Sequence, residues 1–137
     1  MNVNSVYPKV REIIADVLVI DEDDVSLSSR LIVDLGAESI DFLDLVFQLE
    51  KEFSIKIPRG QLEKNARGDI PEEEFEKGGV LTAKGLEALK NYLSEVPEEN
   101  FKPHLKVSEI PMLFTVETFC KLIVSAMSEK NLAESIA

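Results

Sequence analysis

Residues 34–53 read DLGAESIDFLDLVFQLEKEF, and this stretch decides the fold. Phe42, Leu45, Val46, Leu49 and Phe53 recur at helical spacing, which predicts a helix over 39–53 with one apolar stripe in a core. Ile40, Leu43 and Phe47 form a second stripe at i, i+3, i+7. Such a helix is either buried on two sides or offers one side for docking. Asp41 and Asp44 share a neighbouring face, with Glu50 and Glu52 further along. Acids near a helix start also stabilise it through the dipole, so Asp41 has a purely structural reading as well. Gly36 before the helix permits a turn that other residues resist. Ser39 taken alone is an ordinary capping serine. Its setting says more. A Gly36-Ala37 turn presents the hydroxyl at a helix start, where a phosphate ester would be stabilised. The flanking acids hinder phosphate binding, so they need another purpose, such as engaging a basic enzyme that modifies the serine.

Working outward, Val6, Val10, Ile13, Ile14, Val17 and Leu18 predict a first helix, capped by Asn4 or Ser5 and ended by the acids at 21–24. The loop 21–38 contains Val25, Leu27, Leu31, Ile32 and Leu35, so it is expected to lie across a core. Ile55-Lys56-Ile57-Pro58 reads as an extended exit from the central helix. Beyond it, a short helix is expected over 61–67, ended by Gly68. A break is expected at Gly78-Gly79, and a helix from Thr82 as cap to about Ser94. Residues 98–106 read as a surface loop, and Pro103 and Pro111 bracket an irregular stretch. A last helix starts near Thr115, burying Val116, Phe119, Cys120, Ile123 and Met127, with fraying expected after Lys130.

The chain has 137 residues, which favours one domain, and a net charge of −11, which makes nucleic acid and anionic lipid poor partners and either attracts basic proteins or serves solubility alone. One cysteine, Cys120, permits no internal disulfide, and with one histidine, His104, no typical zinc site. Cys120 lies on an apolar stripe and reads as a structural thiol rather than a nucleophile. No signal peptide or membrane-length apolar run is evident, so the expectation is a cytoplasmic protein without membrane insertion. No phosphate-cradling glycine loop, nucleophile elbow or metal site is present, so no catalytic residues are assigned.

Asp34, Gly36, Ser39 and Asp41 resemble the phosphopantetheine attachment motif of acyl carrier proteins, Asp-x-Gly-x-Asp-Ser-Leu-Asp, with Glu38 in place of Asp and Ile40 in place of Leu. The resemblance continues to Phe53 and Ile57-Pro58 and returns at Thr115-Val116, covering about 1–58 and 115–130. The run from Asp41 to Phe47, with Glu50-Lys51-Glu52-Phe53 and Ile55-Lys56-Ile57-Pro58, resembles the carriers that deliver very long fatty acids to bacterial lipid A. What this implies is an all-α fold: an acyl-carrier-like four-helix bundle in a single domain, with an extended, partly helical insert over 59–114. It implies a non-enzymatic carrier of fatty acyl thioesters for fatty acid or specialised lipid biosynthesis. The arm would be 4′-phosphopantetheine, covalently attached at Ser39. Asp34, Gly36, Glu38, Ile40 and Asp41 would form the attachment motif. Ile40, Asp41, Asp44, Phe47 and Glu50 would be the docking surface. Phe42, Leu45, Val46, Leu49 and Ile123 would line the acyl pocket, each being equally a plain core residue. The implied partners are a phosphopantetheinyl transferase, the ketosynthase, dehydratase and reductases of fatty acid synthesis, and acyltransferases with basic patches. The protein itself would be a monomer.

Alternatives stay open. A peptidyl carrier usually has Gly-Gly-His/Asp-Ser, which 36–39 does not match. A polyketide carrier has an overlapping motif. A carrier-fold interaction module without an arm would keep the acidic helix and not need Ser39. The insert, with Val80, Leu81, Leu86, Leu89 and Leu93, is expected to enlarge the acyl cavity or add a partner surface.

Overall fold

The computed structural model describes residues 2–57 and 61–136; the side chains of Ser39 and of residues 131–136 lie outside the described set, as does Pro58 of the expected helix exit. The chain divides into two compact units, one formed by 1–58 with 115–137 and the other by 59–114.

The first unit is built on three helices among the described residues. Helix α1 spans Val3–Leu18, α2 spans Ser39–Phe53, and the last helix, called α6 in chain order, spans Val116–Ile136. Helix α1 packs on both α2 and α6, and α2 also touches α6. The apolar spacings explain this: Val6, Val10, Ile14, Leu45, Leu49, Phe119 and Ile123 are all buried. Full burial of each such side chain contributes about 1.5–3 kcal/mol. Two details of α1 differ from expectation. Its cap is Asn2, whose Oδ1 accepts the Ser5 N–H at 2.9 Å, because the helix begins before the positions proposed for the cap. It ends in a left-handed turn at Val19 (φ 56°), whose N–H returns to the Ala15 carbonyl. The acids at 22–24 form a single 3-10 turn beyond that stop, tied back by the Arg11 guanidinium, which donates to the Glu22 carbonyl at 2.6 Å and pairs with Asp23 at 3.2 Å.

The loop 25–38 lies across the core, as its apolar content predicts, and Val25 and Leu31 are buried. It also completes the start of α6. The Leu27 and Ser29 carbonyls accept the N–H groups of Glu117 and Val116, both at 3.0 Å. Those donors would otherwise be orphans of the first turn. Thr115 and Thr118 cap each other reciprocally beside them.

In the second unit, α3 (Gln61–Arg67) and α5 (Ala83–Tyr92) pack together, with α4 (Glu72–Phe75) against α5. Gly68 in the left-handed region ends α3, and Thr82 caps α5 by accepting the Gly85 N–H at 3.0 Å, both as expected. The all-α expectation holds, with one small two-stranded sheet inside the insert. The Gly78-Gly79 break is the turn of a hairpin between β1 (Glu76–Lys77) and β2 (Val80–Leu81). Both glycines have positive φ, 61° and 83°, which a two-residue hairpin turn requires. The expected surface loop 98–106 is also corrected. It contains a 3-10 turn at Glu98–Asn100, buries Phe101 and Leu105, and pairs back to β2 through the Leu81 N–H and the Leu105 carbonyl at 2.8 Å. The stretch around Pro111 is likewise a 3-10 helix, Val107–Leu113. Leu81, Leu89 and Leu93 are buried, so much of the insert's apolar content is accounted for by core packing. Gly85 is the tightest position: a Cβ there would stand 2.1 Å from the Phe75 carbonyl oxygen.

Candidate functional site

The turn before α2 is held by its own backbone. The N–H groups of Asp34 and Leu35 both reach the Arg30 carbonyl, Gly36 reaches Ile32, and Ala37 reaches Leu31, at 2.9–3.1 Å. Gly36 has φ 74°, so this position of the motif favours a residue without a Cβ. Asp34 works locally: its Oδ2 accepts the Arg30 N–H at 2.8 Å and lies 3.6 Å from the Arg30 guanidinium. Ala37 is buried and anchors the turn to the core.

The helix start differs from the sequence reading in one respect that matters. The cap position is Glu38, not Ser39, and Ser39 is the first helical residue. Asp41 Oδ2 closes the start by accepting the Glu38 N–H at 2.8 Å. The helix start is therefore closed by the Asp41 carboxylate and the Glu38 backbone, in the place where a capping serine was expected.

Along α2 the second apolar stripe is open to solvent. Ile40, Leu43 and Phe47 are 69%, 58% and 60% exposed, which resolves the two-sided helix in favour of a surface stripe. Leu43 belongs to that stripe and was missing from the expected docking set; its i, i+3 spacing from Ile40 was the available signal. Asp44 is exposed beside it. Glu50 is half-buried, and its Oε2 accepts the Ile57 N–H at 2.6 Å, so it holds the helix exit in place. Among the expected acyl-pocket residues, Leu45, Leu49 and Ile123 are buried in the core, while Phe42 and Val46 are half-buried. The Phe42 ring stacks on Phe119 with centroids 5.9 Å apart.

Cys120 is fully buried, and burial, with a smaller contribution from the charge of Glu117, pushes its thiol up to about 12. A thiol so reluctant to ionise is a packing group. His104 is exposed in a left-handed turn. Among the described residues there is no cluster of three His, Cys, Asp or Glu side chains placed to hold a metal, and no helix long and apolar enough to cross a membrane.

A serine opening a helix, set on a glycine turn and followed by an exposed apolar stripe with acids, is the arrangement of a covalent carrier. Residues 8–67 match the family model of the phosphopantetheine attachment site. The chain is 44% identical over 73 residues to Acyl carrier protein AcpXL of Brucella melitensis biotype 1, covering 53% of this chain and 78% of that protein. It is 40% identical over 92 residues to Acyl carrier protein AcpXL of Rhizobium etli, covering 67% of this chain and 89% of that protein. It is 44% identical over 66 residues to the acyl carrier protein of Thermotoga maritima, covering 47% and 82%. The chain belongs to the acyl carrier proteins. It is a carrier of acyl groups in lipid biosynthesis rather than a catalyst, with a covalently attached 4′-phosphopantetheine. Carriers of this family work with a phosphopantetheinyl transferase and with enzymes of fatty acid synthesis.

The residues present fit that group. The first turn of α2 presents a helix N-terminus, which favours the negative charge of a phosphodiester. Once attached, the group supplies a terminal thiol that holds the acyl chain as a thioester on a flexible arm.

Proposed function

We propose that Ser39 is the attachment residue and that the exposed stripe of α2 is the surface partner enzymes read. The observation that carries the first part is the division of labour at the helix start: Glu38 and Asp41 close it, and Ser39 follows the cap as the first helical residue. Its Oγ would attack the pyrophosphate of coenzyme A. The new bond is from Oγ to phosphorus, adenosine 3′,5′-bisphosphate leaves, and the hydroxyl proton passes to a base on the transferase. Asp34, Gly36, Glu38, Ile40 and Asp41 shape the recognised turn. Partner enzymes with basic patches, including the ketosynthase, dehydratase, reductases and acyltransferases, would meet Asp41 and Asp44 electrostatically and Ile40, Leu43 and Phe47 by apolar contact. Charges at such a rim mainly speed and orient encounter. Glu50 contributes charge there while holding the exit.

The acyl chain would enter beside the half-buried Phe42 and Val46, with Leu45, Leu49 and Ile123 as walls that must yield to admit it. The likeness to the AcpXL proteins supports a specialised lipid pathway, lipid A in particular, over a general one. The protein would act as a cytoplasmic monomer. The test is intact mass after incubation with coenzyme A and a broad-specificity phosphopantetheinyl transferase. A gain of one phosphopantetheine on the wild type and none on Ser39→Ala is expected. A gain on Ser39→Ala would refute the assignment. No gain on folded wild type, with another carrier modified in parallel, would favour a carrier-fold interaction module without an arm.

A further inference from the structure

The exposed stripe of α2 does not stop at Phe47. One turn further, at i+11 from Ile40, it reaches Lys51, and there the surface opens into a groove of about 630 Å3 between the end of α2, its exit and the second half of α6. Its apolar wall comes from Phe47, Ile55 and Ala126, and three lysines stand on it: Lys51, Lys56 and Lys130. On a chain of net charge −11 this is a local reversal of sign. Two glutamates also line the groove, Glu129 and Glu50, the latter accepting the Ile57 N–H while keeping its charge, so three lysines against two glutamates leave the lining at +1. None of the three lysines forms an ion pair among the described residues. Phe47 belongs to both the stripe and the groove, so the two surfaces are continuous. Going from Asp44 to Lys51 along one face is seven residues, or about 10 Å, and the sign changes over that distance.

We propose that this groove receives an acidic amphipathic segment of an acyl-transferring partner, its apolar side chain against Phe47, Ile55 and Ala126 and its carboxylates against Lys51, Lys56 and Lys130. The proposal rests on the docking role of α2 given above and narrows it. A fitting partner is basic where it meets Asp41 and Asp44 and acidic about two helical turns away. A two-signed surface fixes the direction in which a partner lies along α2, which a uniformly acidic helix does not. A membrane is the poorer occupant, because the rest of the chain is repelled by anionic lipid.

The test is a titration of the 15N-labelled, phosphopantetheine-bearing protein with a short blocked peptide of Glu and Leu, and with a peptide of Lys and Leu as control. Shifts in the amide signals of Phe47, Lys51, Lys56 and Ala126 are expected with the acidic peptide only. Binding is expected to weaken at least about tenfold in a Lys51→Glu/Lys56→Glu/Lys130→Glu variant, and less in the corresponding Lys→Gln variant, which guards against a folding defect. Absent shifts at these positions, or unchanged affinity in the Lys→Glu variant, would overturn the proposal. So would lysine-dependent sedimentation with phosphatidylglycerol vesicles without peptide binding, which would assign the groove to a lipid surface. The carrier reading is judged separately by the mass gain of the wild type, and the Lys→Glu variant is expected to take up phosphopantetheine as the wild type does.

Discussion

The two compact units of this chain are built on different principles. The unit of 1–58 and 115–137 rests on three long helices whose apolar stripes meet, so its order comes from periodicity. The unit of 59–114 has, among the described residues, only one helix as long as 10 residues, and it joins its buried Leu62, Phe75, Leu81, Leu89, Leu93 and Ile110 through turns, a two-residue hairpin, 3-10 segments and one close backbone approach at Gly85. The second adds to its apolar core particular backbone positions, Gly78 and Gly79 at positive φ and Gly85 against the Phe75 carbonyl. The expected attachment and docking residues all fall in the first unit.

The sharpest break would come from chemistry. Ser39→Ala should lose phosphopantetheine uptake entirely, read by intact mass, while Gly85→Ala in the other unit should keep it. Loss of uptake in Gly85→Ala would show that the two units are not separable. Among stability effects the largest is expected from Phe119→Ala. It removes a ring that is 2% exposed and stacked on Phe42, and should cost about 4 kcal/mol in denaturant unfolding. Gly85→Ala should cost about 3 kcal/mol, the upper range for overpacking, because the new Cβ would meet the Phe75 carbonyl, which is backbone and cannot rotate away. Hydrogen exchange would locate that loss in 59–114; uniform loss across both units would break the comparison.

Cys120 gives a pH test confined to the first unit. The unfolded thiol ionises from about 9.0, whereas burial holds the folded one protonated to about 12. Between these values the unfolded state binds fewer protons, so stability falls as pH rises through that window and is unaffected below it. Cys120→Ala should lessen the fall. The smallest effect is expected at Val19, 87% exposed and in the left-handed region at φ 56°. Val19→Gly loses almost no packing and relieves a β-branched residue, and should stabilise by about 1 kcal/mol, seen as a raised Tm.

How far the sequence carried the reading follows the same divide. The bounds of α2 were legible because one apolar stripe and a glycine turn coincide at Ser39. The start of α5 was legible from Thr82. The hairpin was not, because two-residue strands give no alternating pattern to read, and Gly78-Gly79 marks a break without saying what it joins. Phe101 and Leu105 looked like loop residues because no periodicity precedes them; their burial comes from contacts distant in sequence.

By itself the sequence determined the helices of the carrier unit, the motif around Ser39 and the family to which it points, since spacing and residue type along one segment suffice for these. Only the tertiary structure decided which of the two stripes on α2 is buried. It also gave the capping to Glu38 and Asp41, and it gathered Lys51, Lys56 and Lys130 beside Phe47. The capping is local, a contact three residues apart, but the other two share one physical reason. A side chain's exposure and its charged neighbours are set by segments that pack from elsewhere in the chain, and a local pattern does not contain them.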